Sequence, residues 1–555
     1  MKYNEYYRNH LKGVTADRAE KPTPPAARIS IIVPVYNIAA NLLKQCVNSA
    51  LQQLVPAHEI ILVDDCSTLP ETLAAMDELK KNPLVKVFKT SQNLNIAGSS
   101  NLGAKHATGD FLFFLDNDDE IPANALFDVT QAIAANPSLD LLYGDENKIE
   151  PDGSFSEPYY KPDWSPEHIT SVMYALHPLV IRTSLFQELG GFRDEFSGTQ
   201  DFDLFLRASR KARKIHHVRE VIYHWRKIPG SAAAVVDAKP LALERARKAV
   251  QEHLTAQGKD ATVEDGLLFG TFRPRFHIKG NPRISILIPT DYRKRDVLHR
   301  GLINMVAHLV KSIHTRSTYP NYEILIVDNS NVTTEDRETL EKNGARIFHY
   351  PDAKEKFSYT NRMNFIARQA TGDYLVPLND DMEVISPDWM ESMLEFAQQD
   401  DIGLVGARLL YPDDTIQHVG IAFTKSGEPI HALHALPAND GGHNGYPRLI
   451  RNYLAMTGAC VMLKHSLWKE LGGFDPKLAI DFNDIDLCLR IIKKGLRIVY
   501  TPYASLYHYN QSSLVNRTQD PAERALFFER WKDIIYQDPY TNYPDIRVEN
   551  ASHPI

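Results

Sequence analysis

Clusters of acidic residues directly follow short apolar runs in this sequence, a pattern with a definite chemical use. Asp64 and Asp65 follow IILV, and Asp116, Asn117 and Asp118 follow FLFFL. Carboxylates held this close repel one another, and a divalent cation that also binds a diphosphate removes that cost. Oxygen ligands of this kind suit Mg²⁺ or Mn²⁺. One such cluster alone would be weak evidence, because aspartate is also common in turns and helix caps.

A histidine near the end of a later apolar run offers a further ligand. His224 lies in VIYHWR, and an imidazole shifts the preference slightly towards Mn²⁺. A single buried histidine is usually structural. A similar segment, SLYHY, contains His508 in the second half of the chain, and this recurrence favours a metal-binding role for both.

Two other aspartates stand at the start of predicted helices. Asp201 lies in QDFDLFLR and Asp484 in NDIDLCLR. Either residue could cap its helix. Either could also act as a general base that takes a proton from an attacking hydroxyl. The two roles are compatible, because a helix start holds a carboxylate in place.

The chain repeats itself, and the repeats carry these residues. The offset between matching residues drifts only from 255, between Pro34 and Pro289, to 284, between His224 and His508. The matching segments, in order, are ISIIVPVYN (29–37) with ISILIPTDY (284–292), EIILVDDCS (59–67) with EILIVDNSN (323–331), ATGDFLFFLDNDDE (107–120) with ATGDYLVPLNDDME (370–383), and ELGGF (188–192) with ELGGF (470–474). A period this long indicates a duplicated domain rather than a solenoid.

Each copy has the pattern of an α/β domain. ISIIVPV and EIILVD are short, continuous, Ile- and Val-rich runs typical of strands buried on both faces of a parallel sheet. The segment between them has helical spacing, and this β-α-β order predicts a doubly wound, Rossmann-like sheet. Ligands bind beyond the carboxyl ends of such strands, where the acidic residues lie. The predicted organisation is an N-terminal helix and Pro-rich linker (1–27), domain 1 (28–235), a helical connector (236–280), domain 2 (281–515), and a C-terminal helix and tail (516–555).

Composition excludes other classes of protein. The 62 Lys and Arg residues against 70 Asp and Glu residues give no basic excess, which argues against a nucleic-acid partner. The four cysteines, Cys46, Cys66, Cys460 and Cys488, are far apart and fit reduced thiols. No apolar run approaches the roughly 18 residues that cross a bilayer, and the polar start does not resemble a signal peptide. We therefore expect a cytoplasmic protein, with any contact to the inner face of the membrane or to an assembly complex being peripheral.

Taken together, the motifs resemble those of the family 2 inverting glycosyltransferases, which have the GT-A fold. The first copy carries VPVYN, VDDCS, LDNDD, QDFDL and YHWR, and the second carries IPTDY, VDNSN, LNDD, TGAC, NDIDL and YH. YGDENKI (143–149), YKPDWSP (160–166) and DPYTNYP (538–544) are similar to segments of the multidomain members that assemble O-antigens and capsules. The resemblance covers residues 28–235 and 281–515.

The resemblance implies a role for each matching residue. Asp201 and Asp484 would be the catalytic bases. The metal ligands would be Asp116, Asp118 and His224 in domain 1, and Asp381 and His508 in domain 2. Nucleotide-sugar contacts would come from Pro34, Tyr36, Asp64, Asp65, Asn101, Asp116, Asn117, Pro289, Asp328, Asn364, Asn379 and Asp380, with Asp64 and Asp328 facing the base. Asn379 departs from the pattern, since it stands where domain 1 has Asp116, so the second metal site would rely on Asp380 and Asp381.

The implied function is that of a bifunctional hexosyltransferase. Each domain would move a sugar from a UDP- or dTDP-linked donor to a glycan or lipid-linked glycan acceptor, using Mn²⁺ or Mg²⁺, and form its own linkage. Trp164, Gly458 and Ala459 are candidates for the acceptor sites, with core packing the favoured explanation for Trp164. One alternative is a single active domain beside a degenerate acceptor-binding or scaffolding domain. A nucleotidyltransferase is disfavoured, because VPVYNIAAN lacks the glycines and lysine of a phosphate loop.

Overall fold

A computed structural model describes residues 3–21, 27–228, 240–292, 294–297, 301–328, 332–351, 357–509 and 519–541. The chain divides into two compact units. The first is formed by residues up to 164 and by 172–274, and the second by 165–171 and the residues from 275 onwards. The predicted connector therefore falls mainly within the first unit. Within the described ranges, no helix is both long and apolar enough to cross a membrane.

The first unit contains an eight-stranded sheet with helices on its faces. Its elements are α1 (Tyr3–Glu20), β1 (Ile29–Val35), α2 (Ala40–Leu51), β2 (Glu59–Asp64), α3 (Pro70–Leu79), β3 (Val85–Lys89), α4 (Asn95–His106), β4 (Phe111–Phe114), α5 (Ala125–Ala135), β5 (Leu141–Ile149), β6 (Phe155–Tyr159), β7 (Leu179–Arg182), α7 (Thr183–Glu188), α8 (Gln200–Ser209), β8 (Ile215–Arg226), α9 (Pro240–Ala256), β9 (Ala261–Asp265) and β10 (Phe272–Phe276). The short helix α6 (Pro166–Ile169) belongs to the second unit. The strand order is β3-β2-β1-β4-β7-β5-β6, with β8 paired to β5.

The second unit repeats this plan. It continues with β11 (Ile284–Pro289), β12 (Lys294–Val297), β13 (Gly301–Asn304), α10 (Met305–Arg316), β14 (Tyr322–Asp328), α11 (Thr334–Lys342), β15 (Ala345–His349), α12 (Tyr359–Ala367), β16 (Tyr374–Pro377), β17 (Met382–Val384), α13 (Trp389–Ala397), β18 (Ile402–Leu410), β19 (Ile416–His418), β20 (Ile421–Phe423), β21 (Pro429–His431), β22 (Arg451–Asn452), β23 (Val461–Lys464), α14 (His465–Leu471), α15 (Asn483–Lys493), β24 (Arg497–His508) and α16 (Pro521–Ile535). The sheet order is β15-β14-β11-β16-β23-β18-β24-β17.

The predicted fold class is confirmed in both units. In the first sheet β1 pairs in parallel with β2 and β4, and in the second sheet β11 pairs in parallel with β14 and β16. Every residue of β1 and β11 is buried. This double burial explains why their sequences are continuous apolar runs rather than alternating ones. The next strand, β7 or β23, is antiparallel to its neighbour β4 or β16.

A small polar network lies at the start of β4 in the first unit and of β16 in the second. Ser30 donates to Glu59 at 2.6 Å, and Ser285 donates to Glu323 at the same distance. The glycine of each ATGD motif packs against this serine, and a Cβ on Gly109 or Gly372 would lie 2.6 Å from the serine hydroxyl. Only glycine fits there. The strands that lead into the two acidic clusters therefore start in the same register in both units.

Candidate active sites

The carboxyl ends of β1, β2 and β4 bring the predicted residues of the first unit to one edge of its sheet. Asn117 donates to the Pro34 carbonyl oxygen at 2.7 Å and so joins the acidic cluster to the end of β1. Asp64 is buried, accepts from the Ser67 N–H at 2.9 Å and lies 3.3 Å from the Lys89 ammonium. Asp65 accepts from the Leu94 N–H at 2.7 Å, which fixes the start of α4. Tyr36, at the same edge, is 53% exposed and free to contact a ligand.

One cavity of the first unit joins the acidic cluster to the predicted base. Pro34, Asp116, His177, Asp201 and Tyr223 all line it. Burial raises the pKa of Asp201 to about 6. Burial also raises the pKa of Asp116 to about 6, with the nearby His177 opposing the shift and Asp118 and Asp201 adding to it. The cavity therefore holds carboxylates that are poorly hydrated, which raises their basicity and their affinity for a cation.

Neither of the two aspartates predicted to be bases caps its helix, which corrects one of the two sequence interpretations. α8 begins at Gln200 and α15 at Asn483, so Asp201 and Asp484 are the second residues of their helices. Asp484 instead accepts from the Gly458 N–H at 2.7 Å, and burial raises its pKa. A Cβ on Gly458 would lie 3.0 Å from the Cβ of Asp484. The small residue of the TGAC motif thus makes room for the aspartate.

Asn101 and Asn364 hold the turn that precedes these helices. Asn101 donates to the Phe192 carbonyl oxygen and accepts from the Phe192 N–H, both at 2.9 Å. Asn364 makes the same pair of hydrogen bonds with Phe474, at 2.8 and 3.0 Å. The side-chain N–H and oxygen of each asparagine are both hydrogen-bonded to the backbone of the GGF turn. The two asparagines therefore position the helices that carry Asp201 and Asp484.

Trp164 lies against the core of the first unit. Its ring centroid is 5.9 Å from that of Phe205, which is fully buried on α8. This packing supports a structural role for the tryptophan of YKPDWSP.

His224 and His508 do not occupy equivalent positions, although their sequence motifs match. Glu120 pairs with His224, whereas its counterpart in the repeat, Glu383, pairs with Tyr507. A shift of one residue along a strand turns a side chain to the other face. His224 therefore packs edge-on against Tyr7 of α1 and hydrogen-bonds Asn147 at 2.7 Å, while burial lowers its pKa to about 3.

His177 is the histidine that lies beside the acidic cluster of the first unit. Its Nε2 is 3.9 Å from the Asp116 carboxylate, and its Nδ1 is 3.7 Å from the Glu146 carboxylate. The fully buried Lys161 donates to Glu146 at 2.8 Å and to the His177 carbonyl oxygen at 2.9 Å. The YGDENKI and YKPDWSP motifs contain Glu146 and Lys161, so these motifs act together to hold His177.

Sequence reasoning missed His177 because the second copy has no histidine there. β7 pairs with β4 in the same register as β23 pairs with β16, which places Ala459 at the position of His177. The only sequence signals were the two motifs themselves, for which no role was apparent without the sheet that brings them together.

The second unit pairs its histidine with a different carboxylate. His508 Nε2 lies 3.1 Å from Asp381 and 3.4 Å from the Asn379 amide, and His508 Nδ1 hydrogen-bonds the Gln417 carbonyl oxygen. Asp380 accepts from the Thr290 hydroxyl at 2.6 Å, and burial raises its pKa to about 7. Asp380 therefore lies near the end of β11, where Asn117 lies near the end of β1.

The residues of the second unit that are predicted to contact the nucleotide lie at strand ends, as they do in the first unit. Pro289 ends the buried strand β11. Asp328 ends β14, is buried, and hydrogen-bonds His349 Nδ1 at 3.0 Å. A buried aspartate thus ends β2 in the first unit and β14 in the second.

The donor chemistry at both edges suits a divalent cation. Within the described residues, no group of three or more His, Cys, Asp and Glu side chains already lies close enough together to hold a metal ion. In a neutral His508 the Nδ1 hydrogen goes to Gln417, so the lone pair of Nε2 faces the Asp381 oxygen at 3.1 Å. A cation bound by both groups would remove this repulsion, as in other sites where an amide or carboxylate orients a histidine ligand. Asp116 and Asp118 offer hard oxygen ligands of the kind that Mg²⁺ and Mn²⁺ prefer.

The fold is that of a GT-A glycosyltransferase domain, present twice. Residues 30–188 and 285–443 both match the family described as Glycosyl transferase family 2. The chain therefore belongs to this family.

Relatives extend over nearly the whole chain. An uncharacterized protein, y4gI, of Sinorhizobium fredii is 35% identical over 94% of this chain and 58% of its own length. The O-antigen biosynthesis protein RfbC of Myxococcus xanthus is 34% identical over 93% of this chain and 40% of its own length. Both relatives are thus considerably longer than this chain. The crystal structure of S. aureus TarS 1-349 covers 41% of this chain and 65% of its own, with 22% identity and a TM-score of 0.34.

Proposed function

We propose that the protein is a bifunctional inverting glycosyltransferase that extends a bacterial surface glycan. The observation that carries this proposal is the half-buried aspartate in the first turn of a helix in each unit, Asp201 in one and Asp484 in the other. Asp201 lines one cavity with Asp116, and Asp484 is held by the Gly458 N–H. The similarity to an O-antigen biosynthesis protein supports a surface glycan as the product. The donors would be UDP- or dTDP-linked sugars and the acceptor a glycan or lipid-linked glycan, reached by peripheral contact with the membrane or an assembly complex.

The proposed reaction is a single displacement in each unit. The acceptor hydroxyl gives its proton to Asp201 or Asp484, and its oxygen forms the new bond to the anomeric carbon. The bond from that carbon to the diphosphate oxygen breaks at the same time, and the nucleoside diphosphate leaves with the electron pair. A base whose pKa lies about 6 is both deprotonated at neutral pH and basic enough to accept the proton.

The donor would lie across the carboxyl edge of each sheet. Asp64 and Asp328 would contact the nucleotide base, and the diphosphate would lie against Asp116 and Asp118 or against Asp381. Mn²⁺ or Mg²⁺ would be held by these carboxylates and His508, and when bound would neutralise the charge of the leaving diphosphate. We assign the imidazole beside Asp116 to His177 rather than to His224.

A second candidate function is an active first unit beside an acceptor-binding second unit. Asn379 and Ala459 favour it, since they replace Asp116 and His177. The pair formed by Asp381 and His508 favours activity in both units, as does Asp484, which the Gly458 N–H holds in place.

The product should have the inverted configuration at the anomeric carbon. Each unit offers one carboxylate as the proposed base, Asp201 or Asp484, so a single displacement is expected. An α-linked nucleotide sugar should give a β-linked product, and a β-linked donor an α-linked one. Proton NMR of the purified product measures this directly from the coupling at the anomeric position. A retained configuration would contradict the proposed mechanism.

Replacing His177 with alanine should weaken donor binding to the first unit. A hydrogen bond to a charged group contributes on the order of 1.5–3 kcal/mol, so we expect roughly a 10- to 100-fold rise in the donor KM of that unit. Titration with UDP and dTDP should show the same loss. His58→Ala, an exposed histidine, is the matched control. Unchanged donor KM and unchanged nucleotide affinity in His177→Ala would exclude His177 from the site.

A further inference from the structure

A pair of histidines lies in the second unit beside the proposed catalytic groups. β19 carries Gln417 and His418 next to each other, and Gln417 orients His508. His418 is 1% exposed, and its Nδ1 lies 2.8 Å from Nδ1 of His431 on β21. The two rings are nearly perpendicular, with their centroids 5.0 Å apart. The same strand therefore supports both the acidic site and this pair.

The hydrogen-bonding partners fix the proton positions of both rings. The Thr457 N–H lies 3.3 Å from His418 Nε2, and because a backbone N–H can only donate, that nitrogen accepts. The proton of His418 is then on Nδ1 and is donated to Nδ1 of His431. A neutral His431 consequently carries its own proton on Nε2.

Both rings are neutral at physiological pH. Burial lowers the pKa of His418 well below its usual range, with further lowering from His431 and His508. His431 is an exposed residue, but its ring packs between His418 and His434, and loss of hydration there lowers its pKa to about 4. The Nε2–H of His431 is thus a neutral donor held in one orientation.

The pair is tied to the catalytic base by two successive backbone amides. The Thr457 N–H binds His418, and the next amide, that of Gly458, binds Asp484 at 2.7 Å. The Thr457 hydroxyl also stabilises the Asp484 carboxylate. Any movement of this loop would therefore shift the base and the histidine pair together.

The location favours the acceptor over the donor. The nucleotide-side residues Asp328 and Asp380 lie at the ends of strands β14 and β16, whereas His431 lies on the separate two-stranded sheet formed by β20 and β21. Within the described residues, the first unit has no two-stranded sheet at this point in the repeat. A feature particular to one unit and joined to its base suits recognition of that unit's own acceptor.

We propose that the Nε2–H of His431 donates a hydrogen bond to a hydroxyl group of the acceptor sugar in the second unit, and that His418 is the positioning residue that fixes this donor. Sugar hydroxyl groups are neutral acceptors, which a neutral imidazole suits better than a cationic side chain. The proposal rests on the proposed function, because it requires the second unit to transfer sugar.

The test uses the full-length chain carrying Asp201→Asn, so that product reports on the second unit. With the best of a panel of p-nitrophenyl hexosides as acceptor, His431→Phe keeps a ring but loses the N–H, and His431→Gln keeps an N–H donor. One hydrogen bond contributes on the order of 0.5–1.5 kcal/mol. We therefore expect His431→Phe to raise the acceptor KM about three- to tenfold, and His431→Gln to raise it less. His314→Ala, at an exposed histidine of the second unit, is the control and should leave the acceptor KM unchanged.

The remaining outcomes separate this proposal from the proposed function. A normal acceptor KM in His431→Phe would overturn the assignment of the donor. A raised donor KM, or slower hydrolysis of the nucleotide sugar without acceptor, would place His431 at the donor and also overturn it. Absence of both transfer and donor hydrolysis in the Asp201→Asn parent would overturn the proposed activity of the second unit, and this inference with it.

Discussion

Replacing Asp484 with asparagine is expected to reduce sugar transfer by the second unit by a factor on the order of 10²–10⁴, the usual contribution of a positioned general base. Asp201→Asn should have the same effect on the first unit. Asparagine has nearly the same shape but cannot accept the proton of the attacking hydroxyl. The measurement is the initial rate of product formation for each linkage at saturating donor and acceptor.

Folding should survive both changes, because neither carboxylate caps its helix and an amide oxygen can still accept the Gly458 N–H. Circular dichroism and the midpoint of thermal unfolding check this. Asp77→Asn and Asp400→Asn, at exposed aspartates, are the matched controls for the two units. If Asp484→Asn retained the wild-type rate of its linkage, Asp484 would not be the base.

Removal of divalent cations should abolish transfer by both units. Asp116 and Asp118 in one unit, and Asp380 in the other, are partly buried carboxylates. Loss of hydration raises the pKa of each, and for Asp116 and Asp380 a neighbouring aspartate raises it further, a cost that a bound cation would remove. A cation at the leaving diphosphate contributes several kcal/mol, so excess EDTA should lower the rate at least about 100-fold. Addition of Mn²⁺ or Mg²⁺ should restore it.

A variant links this metal requirement to named residues. Asp381→Asn should raise the Mn²⁺ concentration needed for half-maximal transfer by the second unit and leave that of the first unit unchanged. Isothermal titration with Mn²⁺ gives an independent readout. Full activity in excess EDTA would eliminate the metal roles of Asp116, Asp118, Asp381 and His508.

The fold could be predicted from the sequence because its signals are local. ISIIVPV and ISILIP are continuous apolar runs since both faces of β1 and β11 are buried, and the acidic residues follow strand ends because ligands bind there. The duplicated order of motifs then predicts two such sheets. The family resemblance assigned Asp116 to the metal site and Asp201 to the base, and in the structure both residues line one cavity.

The remaining features depend on strand pairing, which the sequence pattern does not encode. Matching YHW with YHY aligned His224 with His508, but pairing with Glu120 and Glu383 shifts the register by one residue and turns His224 away. His177 reaches Asp116 only because β7 runs antiparallel beside β4. Lys161 and Glu146 hold His177 through contacts that exist only in the folded structure. The two motifs could therefore be recognised in the sequence, but the role of Lys161 and Glu146 could not.

Mass spectrometry of the glycans made by the two base variants tests the central claim, that each unit forms its own linkage. The account predicts that Asp201→Asn and Asp484→Asn each stop the product at a different point. It also predicts that mixing the two variants restores the full-length glycan, because each supplies the activity that the other lacks. A full-length product of unchanged linkage from Asp484→Asn alone would contradict the account and identify the second unit as an acceptor-binding module.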